Sequence, residues 1–183
     1  GAALLWFGWF GFNVGAEFLN NMENVGLITV NTLGATAAAI LGWLVIEKLK
    51  EGKATSIGAA SGAVAGLVAI TPACANVTTF WALVLGVIAG VAAALAVDLK
   101  FKLGYDDSLD VVGIHLVAGL IGTLFLGFFA TDTGLFTGGD FGQLIVQAIA
   151  AFGVLIYSFV VALLIGFGIE KTIGFRVKSE DEI

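Results

Sequence analysis

Charged and apolar positions fall in long blocks along the chain, with no Asp, Glu, Lys or Arg in residues 1–16, 24–46, 54–97, 111–131 and 141–169. Block length sets the number of spans, because an α-helix needs about 20 apolar residues to cross about 30 Å of hydrocarbon. The blocks 24–46, 111–131 and 141–169 hold one span each. The block 54–97 is too long for one, and it contains Thr71-Pro72-Ala73-Cys74-Ala75-Asn76. Proline and the polar residue after it read as a turn there, because the position before a proline is biased out of the helix. The predicted spans are therefore about 1–16, 24–46, 56–71, 79–97, 109–131 and 145–169, followed by a tail over 170–183. The fold class is all-α, a polytopic membrane helical bundle. Period-two alternation is missing, which excludes a transmembrane barrel. The opening Gly1-Ala2-Ala3-Leu4-Leu5-Trp6-Phe7 looks like entry partway through a span, so the chain is expected to be a fragment of a longer polypeptide.

Composition agrees with burial in lipid. Of the 183 residues, 59% are hydrophobic and 12% charged, against roughly 45–50% and 25% in soluble domains. A net charge of -6 and the lack of a basic stripe speak against nucleic acid. The single cysteine, Cys74, excludes an internal disulfide or a CxxC site, and the start lacks the basic residues of a cleavable signal peptide. Basic residues then give the orientation. Lys48, Lys50 and Lys53 follow the second span, Lys100 and Lys102 the fourth, and Lys171, Arg176 and Lys178 the sixth, whereas the connections 17–23, 72–78 and 132–140 carry none. The basic side is the expected cytoplasmic one, which places the C-terminus on the cytoplasmic side.

Glycines mark close helix approaches. Gly58, Gly62 and Gly66 repeat every four residues, and Gly86 pairs with Gly90. Such spacing keeps them on one helix face, where backbones can touch; a glycine-lined pore wall is the alternative.

His115 is the only histidine and lies inside a span. A helix starting near Asp106 would carry it about 13 Å inward. An ionisable group at that depth faces a cavity, a partner or a path, although a purely structural hydrogen bond to a neighbouring helix is the plain alternative. Asp106, Asp107 and Asp110 precede it and suit a helix N-terminus; Asp107, eight residues back, is a candidate inward-facing support. Val111 is one turn before His115 and shares its face. Trp6, Phe7, Trp9, Phe10 and Phe12 read first as an interfacial aromatic belt and second as a constriction or cation–π site. Ser61, Thr71 and Asn31 read as packing or backbone-bonding polar groups. No HExxH, GxSxG or Walker loop occurs, so no enzyme chemistry, metal or cofactor is expected.

Leu5-Trp6-Phe7-Gly8-Trp9-Phe10-Gly11-Phe12-Asn13, Ala69-Ile70-Thr71-Pro72-Ala73-Cys74 and Asp106-Asp107-Ser108-Leu109-Asp110-Val111-Val112-Gly113-Ile114-His115 resemble the ammonium transporter family of Amt, Mep and Rhesus proteins. The resemblance covers essentially the whole chain and makes it helices six to eleven of eleven, that is, the second five-helix inverted repeat plus the final helix. It implies that His115 is one of two pore histidines and Phe12 one of two stacked gate phenylalanines. It further implies that Val111 lines the wall, that Asp107 supports the pore with Asp110, Ser61 and Thr71, and that Trp9 and Ala16 face the outer vestibule. Ala16 stands where many bacterial members carry a serine that helps to bind the external cation, so recruitment there is expected to rest more on aromatic faces. The resemblance also implies ammonium or ammonia as substrate, a homotrimer in the lipid bilayer, and a PII-type signalling protein as a partner on the cytoplasmic face. Two other readings stay open: a Rhesus-like neutral gas channel, and a non-conducting half-length chain that acts in assembly or ammonium sensing. Residues 175–183 resemble the start of the family's regulatory tail.

Overall fold

The computed structural model describes residues 1–20 and 22–177. The expected tail residues 178–183 lie outside the described residues. Among those described, the ordered elements are helices: α1 (Ala2–Ala16), α2 (Val25–Glu51), α3 (Ser56–Ile70), α4 (Thr79–Ala96), the short α5 (Leu99–Leu103), α6 (Ala118–Phe129) and α7 (Phe141–Thr172). A single 3-10 turn, Glu17–Asn20, follows α1, and a π-helical segment, Val112–Val117, runs directly into α6. By length and composition four helical stretches among the described residues can cross a membrane: Val25–Glu51, Thr79–Leu103, Val112–Phe129 and Phe141–Thr172. α1 and α3 are apolar but only 15 residues each, about 22 Å at 1.5 Å per residue. The chain therefore forms a membrane-embedded helical bundle.

Residues 1–147 and residues 148–183 are two compact units. In the first, α2 is the central helix and packs against α3 and α4, while α3 also packs against α1, the π-helical segment and α6. The interior is built from small side chains: Ala35, Ala39, Ala65, Ala69, Ala82, Ala89 and Ala93 are fully or almost fully buried. Ile28, Leu67, Ile70 and Leu85 join them inside, while the outside carries many large ones, including Leu4, Phe7, Leu41, Ile57 and Phe80. In lipid the solvent is itself apolar, so helices gain by close packing of small residues and by interhelical hydrogen bonds.

Gly86 and Gly90 make close approaches to α2. A Cβ at Gly86 would sit 2.2 Å from the Ala35 carbonyl oxygen, and one at Gly90 2.1 Å from that of Ala39. Gly62 and Gly66 face the same helix through Trp43 and Ala39. These glycines are therefore packing positions rather than a pore wall. Asn31, wholly buried, donates from Nδ2 to the carbonyl oxygens of Cys74 and Val77, each at 2.9 Å, and so holds the turn at 71–77 onto α2. Thr55 caps α3 by accepting from the Gly58 N–H at 2.9 Å, and Glu47 in turn accepts from the Thr55 hydroxyl at 2.6 Å. α2 closes on Gly52 in the left-handed region, with Lys48 and Lys50 in its last turn.

In the second unit the remainder of α7 continues to Thr172, three residues into the expected tail. None of its residues is buried.

Candidate functional site

α1 is fastened along one face and open along another. Buried Asn13 donates to the Thr32 hydroxyl at 3.1 Å. Half-buried Trp9 donates from Nε1 to Thr71 Oγ1 at 2.8 Å, and that hydroxyl donates its own proton to the Leu67 carbonyl at 2.7 Å. These bonds leave Phe12, 64% exposed, and Ala16 on the open face, four residues and therefore one turn apart. The Trp9 and Phe12 rings lie 5.9 Å apart at 57°. An open apolar groove lined by Leu4, Leu5, Gly8, Trp9 and Phe12 runs along this face.

His115 sits on the π-helical segment, and the residues before it explain why. The expected helix from Asp106 does not form: residues 105–110 are a turn, and helical structure begins at Val111. Asp110 takes a positive φ of 58°, a conformation that interrupts an L-residue helix. Asp107 is thus not on the helix that carries His115. It serves as the cap, as expected of one acid in this run, accepting from the Val111 and Val112 N–H groups at 2.8 and 2.9 Å. His115 consequently stands four residues from the helix start, about 6 Å of rise at the α-helical value rather than the expected 13 Å. The widened turn is a feature often found at functional positions.

Lys100 pins this turn from α5. Its ammonium donates to the Asp107 carbonyl at 2.9 Å and pairs with Asp110 Oδ1 at 2.5 Å. Asp98, just before α5, pairs with Lys50 at the end of α2. Gly113 lets the segment lie against α4, since a Cβ there would meet the Val97 nitrogen at 3.0 Å. With Gly113 and Ile114 buried inward, Val111, His115 and Leu116 are left exposed.

Several expected site residues are brought together and others are not. Thr71 and Trp9 are bonded to one another, and Asp107 and Asp110 shape the entry to the His115 turn. Ser61 is half-buried on α3, ten residues before Thr71 and about 15 Å along the axis. Phe12 and His115 lie on different elements, α1 and the π-helical segment, both of which pack against α3. The role of Lys100 was not apparent from sequence, although its charge opposite to the acidic run at 106–110 is a signal that could have suggested it. Glu17 was passed over as well. It is only 3% exposed, and one of its oxygens, Oε1, accepts from both the Asn24 N–H and its Nδ2 at 2.9 Å. Cys74 is buried in the turn at 71–77, and burial, with a smaller contribution from the Glu17 charge, pushes its thiol up. Among the described residues no group of three or more His, Cys, Asp or Glu could hold a metal ion.

A bundle of apolar spans, with one histidine exposed on a widened helical turn and an aromatic face on α1, defines a polytopic membrane protein. The family model described as "Ammonium Transporter Family" matches residues 1–183, and the chain belongs to that family. It is 54% identical over 194 residues to an "Ammonium transporter" of Mycobacterium tuberculosis, covering all of this chain and 40% of the relative. Among solved structures, Candida albicans Mep2 superposes with a TM-score of 0.89 at 30% identity, over 98% of this chain and 42% of that one. A structure titled "Sensor Amt Protein" superposes with a TM-score of 0.90 at 32% identity, over 100% of this chain and 45% of that one. The chain thus spans less than half the length of these relatives.

Proposed function

We propose that the chain forms one wall of an ammonium-conducting pore, with His115 and Val111 lining the path and Phe12 gating its mouth. The observation that carries this reading is the exposed imidazole of His115, beside the exposed apolar side chains of Val111 and Leu116, on a π-helical segment that Asp107 caps and Lys100 secures through Asp107 and Asp110. A neutral imidazole both donates and accepts hydrogen bonds, so it can pass a small polar solute through an otherwise apolar wall or relay a proton. The aromatic faces of Trp9 and Phe12 suit a small cation such as NH4+ at the entrance.

In this reading the six spans are the second inverted repeat and the final helix of an eleven-helix protein. The opposite wall, with a second histidine and a second gate phenylalanine, comes from the other repeat. The lysine-bearing end of the bundle is cytoplasmic by the positive-inside rule, and the C-terminus lies there too. The native assembly is a homotrimer in the plasma membrane, open to a PII-type signalling protein on the cytoplasmic face. Ala16 leaves the mouth without a serine hydroxyl, which keeps neutral ammonia conduction as the competing mode.

Ammonium pulses applied to the native protein on a solid-supported membrane test the reading. A saturable current indicates net movement of charge. Alkalinisation of the vesicle lumen without current assigns neutral ammonia. Neither response in a folded, reconstituted protein contradicts conduction and leaves an assembly or sensing role.

A further inference from the structure

We propose that the Glu17 carboxylate supplies a fixed negative charge that concentrates the permeant monovalent cation at the mouth formed by Phe12 and Ala16. The proposal rests on the pore reading above and extends it to cation recruitment. Glu17 directly follows Ala16 and lies five residues beyond Phe12, about 7.5 Å along the axis. Its side chain is 3% exposed, and among the described residues the donors it meets, the Asn24 N–H and Nδ2, are uncharged and both bond Oε1.

A buried charge without a counter-charge is costly, and no lysine or arginine of residues 1–147 lies at this end. Lys48, Lys50 and Lys53 are at or beyond the far end of α2, and Lys48 is 24 residues from Asn24, about 36 Å of helix. Lys50 pairs with Asp98, and Lys100 with Asp110, at that far end. Screening by salt acts over about 8 Å at physiological strength, so none of these bases neutralises Glu17. Glu23, Asp132 and Asp140 are exposed, where water and salt weaken their fields. Glu17 is enclosed, so its field stays strong within the protein and is screened by salt only where it emerges at the open mouth; the Cys74 thiol, raised chiefly by burial, is raised further by it. A carboxylate placed this way does what the missing hydroxyl at Ala16 would do by direct contact, but at longer range.

The competing explanation is that Glu17 only clasps Asn24. Glu17→Gln separates the two, since the amide oxygen still accepts both bonds while the charge is gone. The readout is radiolabelled methylammonium uptake by the native protein in proteoliposomes, at low and high salt. Wild type is expected to need more methylammonium for half-saturation as salt rises. At low salt Glu17→Gln should raise that concentration about three- to tenfold, at the lower end of electrostatic steering effects, with the maximal rate retained and the difference lost at high salt. Glu17→Asp keeps the charge and should stay near wild type. A wild-type half-saturation indifferent to salt overturns the proposal, whatever the variants do. So does equal half-saturation of wild type and Glu17→Gln at low salt. A folded wild type that takes up nothing overturns the pore reading as well, which distinguishes the two failures.

Discussion

The Trp9 indole donates to the Thr71 hydroxyl at 2.8 Å, across 62 positions of sequence. This bond joins the aromatic face of α1 to the residue that ends α3. Thr71 has already given its own proton to the Leu67 carbonyl, so its lone pair is fixed in direction and orients the indole. Thr71→Val keeps the shape and removes the acceptor, leaving a half-buried N–H unpaired. The expected loss is about 1–3 kcal/mol, read as a lower thermal midpoint together with a changed tryptophan emission spectrum. An unchanged midpoint and spectrum would mean that the bond does not hold Trp9.

Asp107 and Lys100 secure the turn that carries His115. Asp107→Ala strips the cap from the Val111 and Val112 N–H groups, at an expected loss of about 1–2 kcal/mol. Lys100→Met removes a charged hydrogen-bond donor, at about 1.5–3 kcal/mol. Both variants should also slow methylammonium uptake at matched amounts of folded protein. Loss of stability with full uptake would separate the turn from the path.

Close helix approach gives a sharper contrast. Gly86→Ala drives a methyl group into the Ala35 carbonyl, whereas a Cβ at Gly8 meets nothing within 4 Å. Gly86→Ala is expected to destabilise by about 1–3 kcal/mol or more, and Gly8→Ala to be close to neutral. Thermal unfolding of the two detergent-solubilised variants side by side checks this.

Cys74 is buried, and burial, with a smaller contribution from Glu17, raises its thiol pKa. A raised pKa means less thiolate at any given pH, and thiolate is the reactive form. Maleimide labelling of the native protein should therefore be slow near neutral pH and quicken as pH rises, while the unfolded chain labels readily. Equal rates for native and unfolded protein would place Cys74 at the surface.

The all-helical membrane architecture was legible in the sequence because uncharged blocks of span length have no other stable form in lipid. The glycine spacing announced packing against a neighbour, although not that Gly86 and Gly90 rest on α2 carbonyls. The local course at His115 was not legible. An acidic run before an apolar block reads as the first turn of a helix, and the positive φ of Asp110 together with the hold of Lys100 made it a separate turn. Trp9 bonding to Thr71 was hidden for a different reason: it joins positions far apart in sequence, and periodicity carries no information about such pairs. Glu17 was overlooked because a single acidic residue at a span end is ordinary by composition. Its burial at an end where residues 1–147 place no lysine or arginine is visible only in three dimensions.

The central claim is that His115 lines the conducting path. Its most direct test compares methylammonium uptake by native wild type and His115→Ala at matched amounts of folded protein, with ammonium and potassium as competitors. The account predicts that the variant transports more slowly or begins to admit potassium. Wild-type uptake with wild-type discrimination would contradict it, and would return His115 to a structural place among the helices.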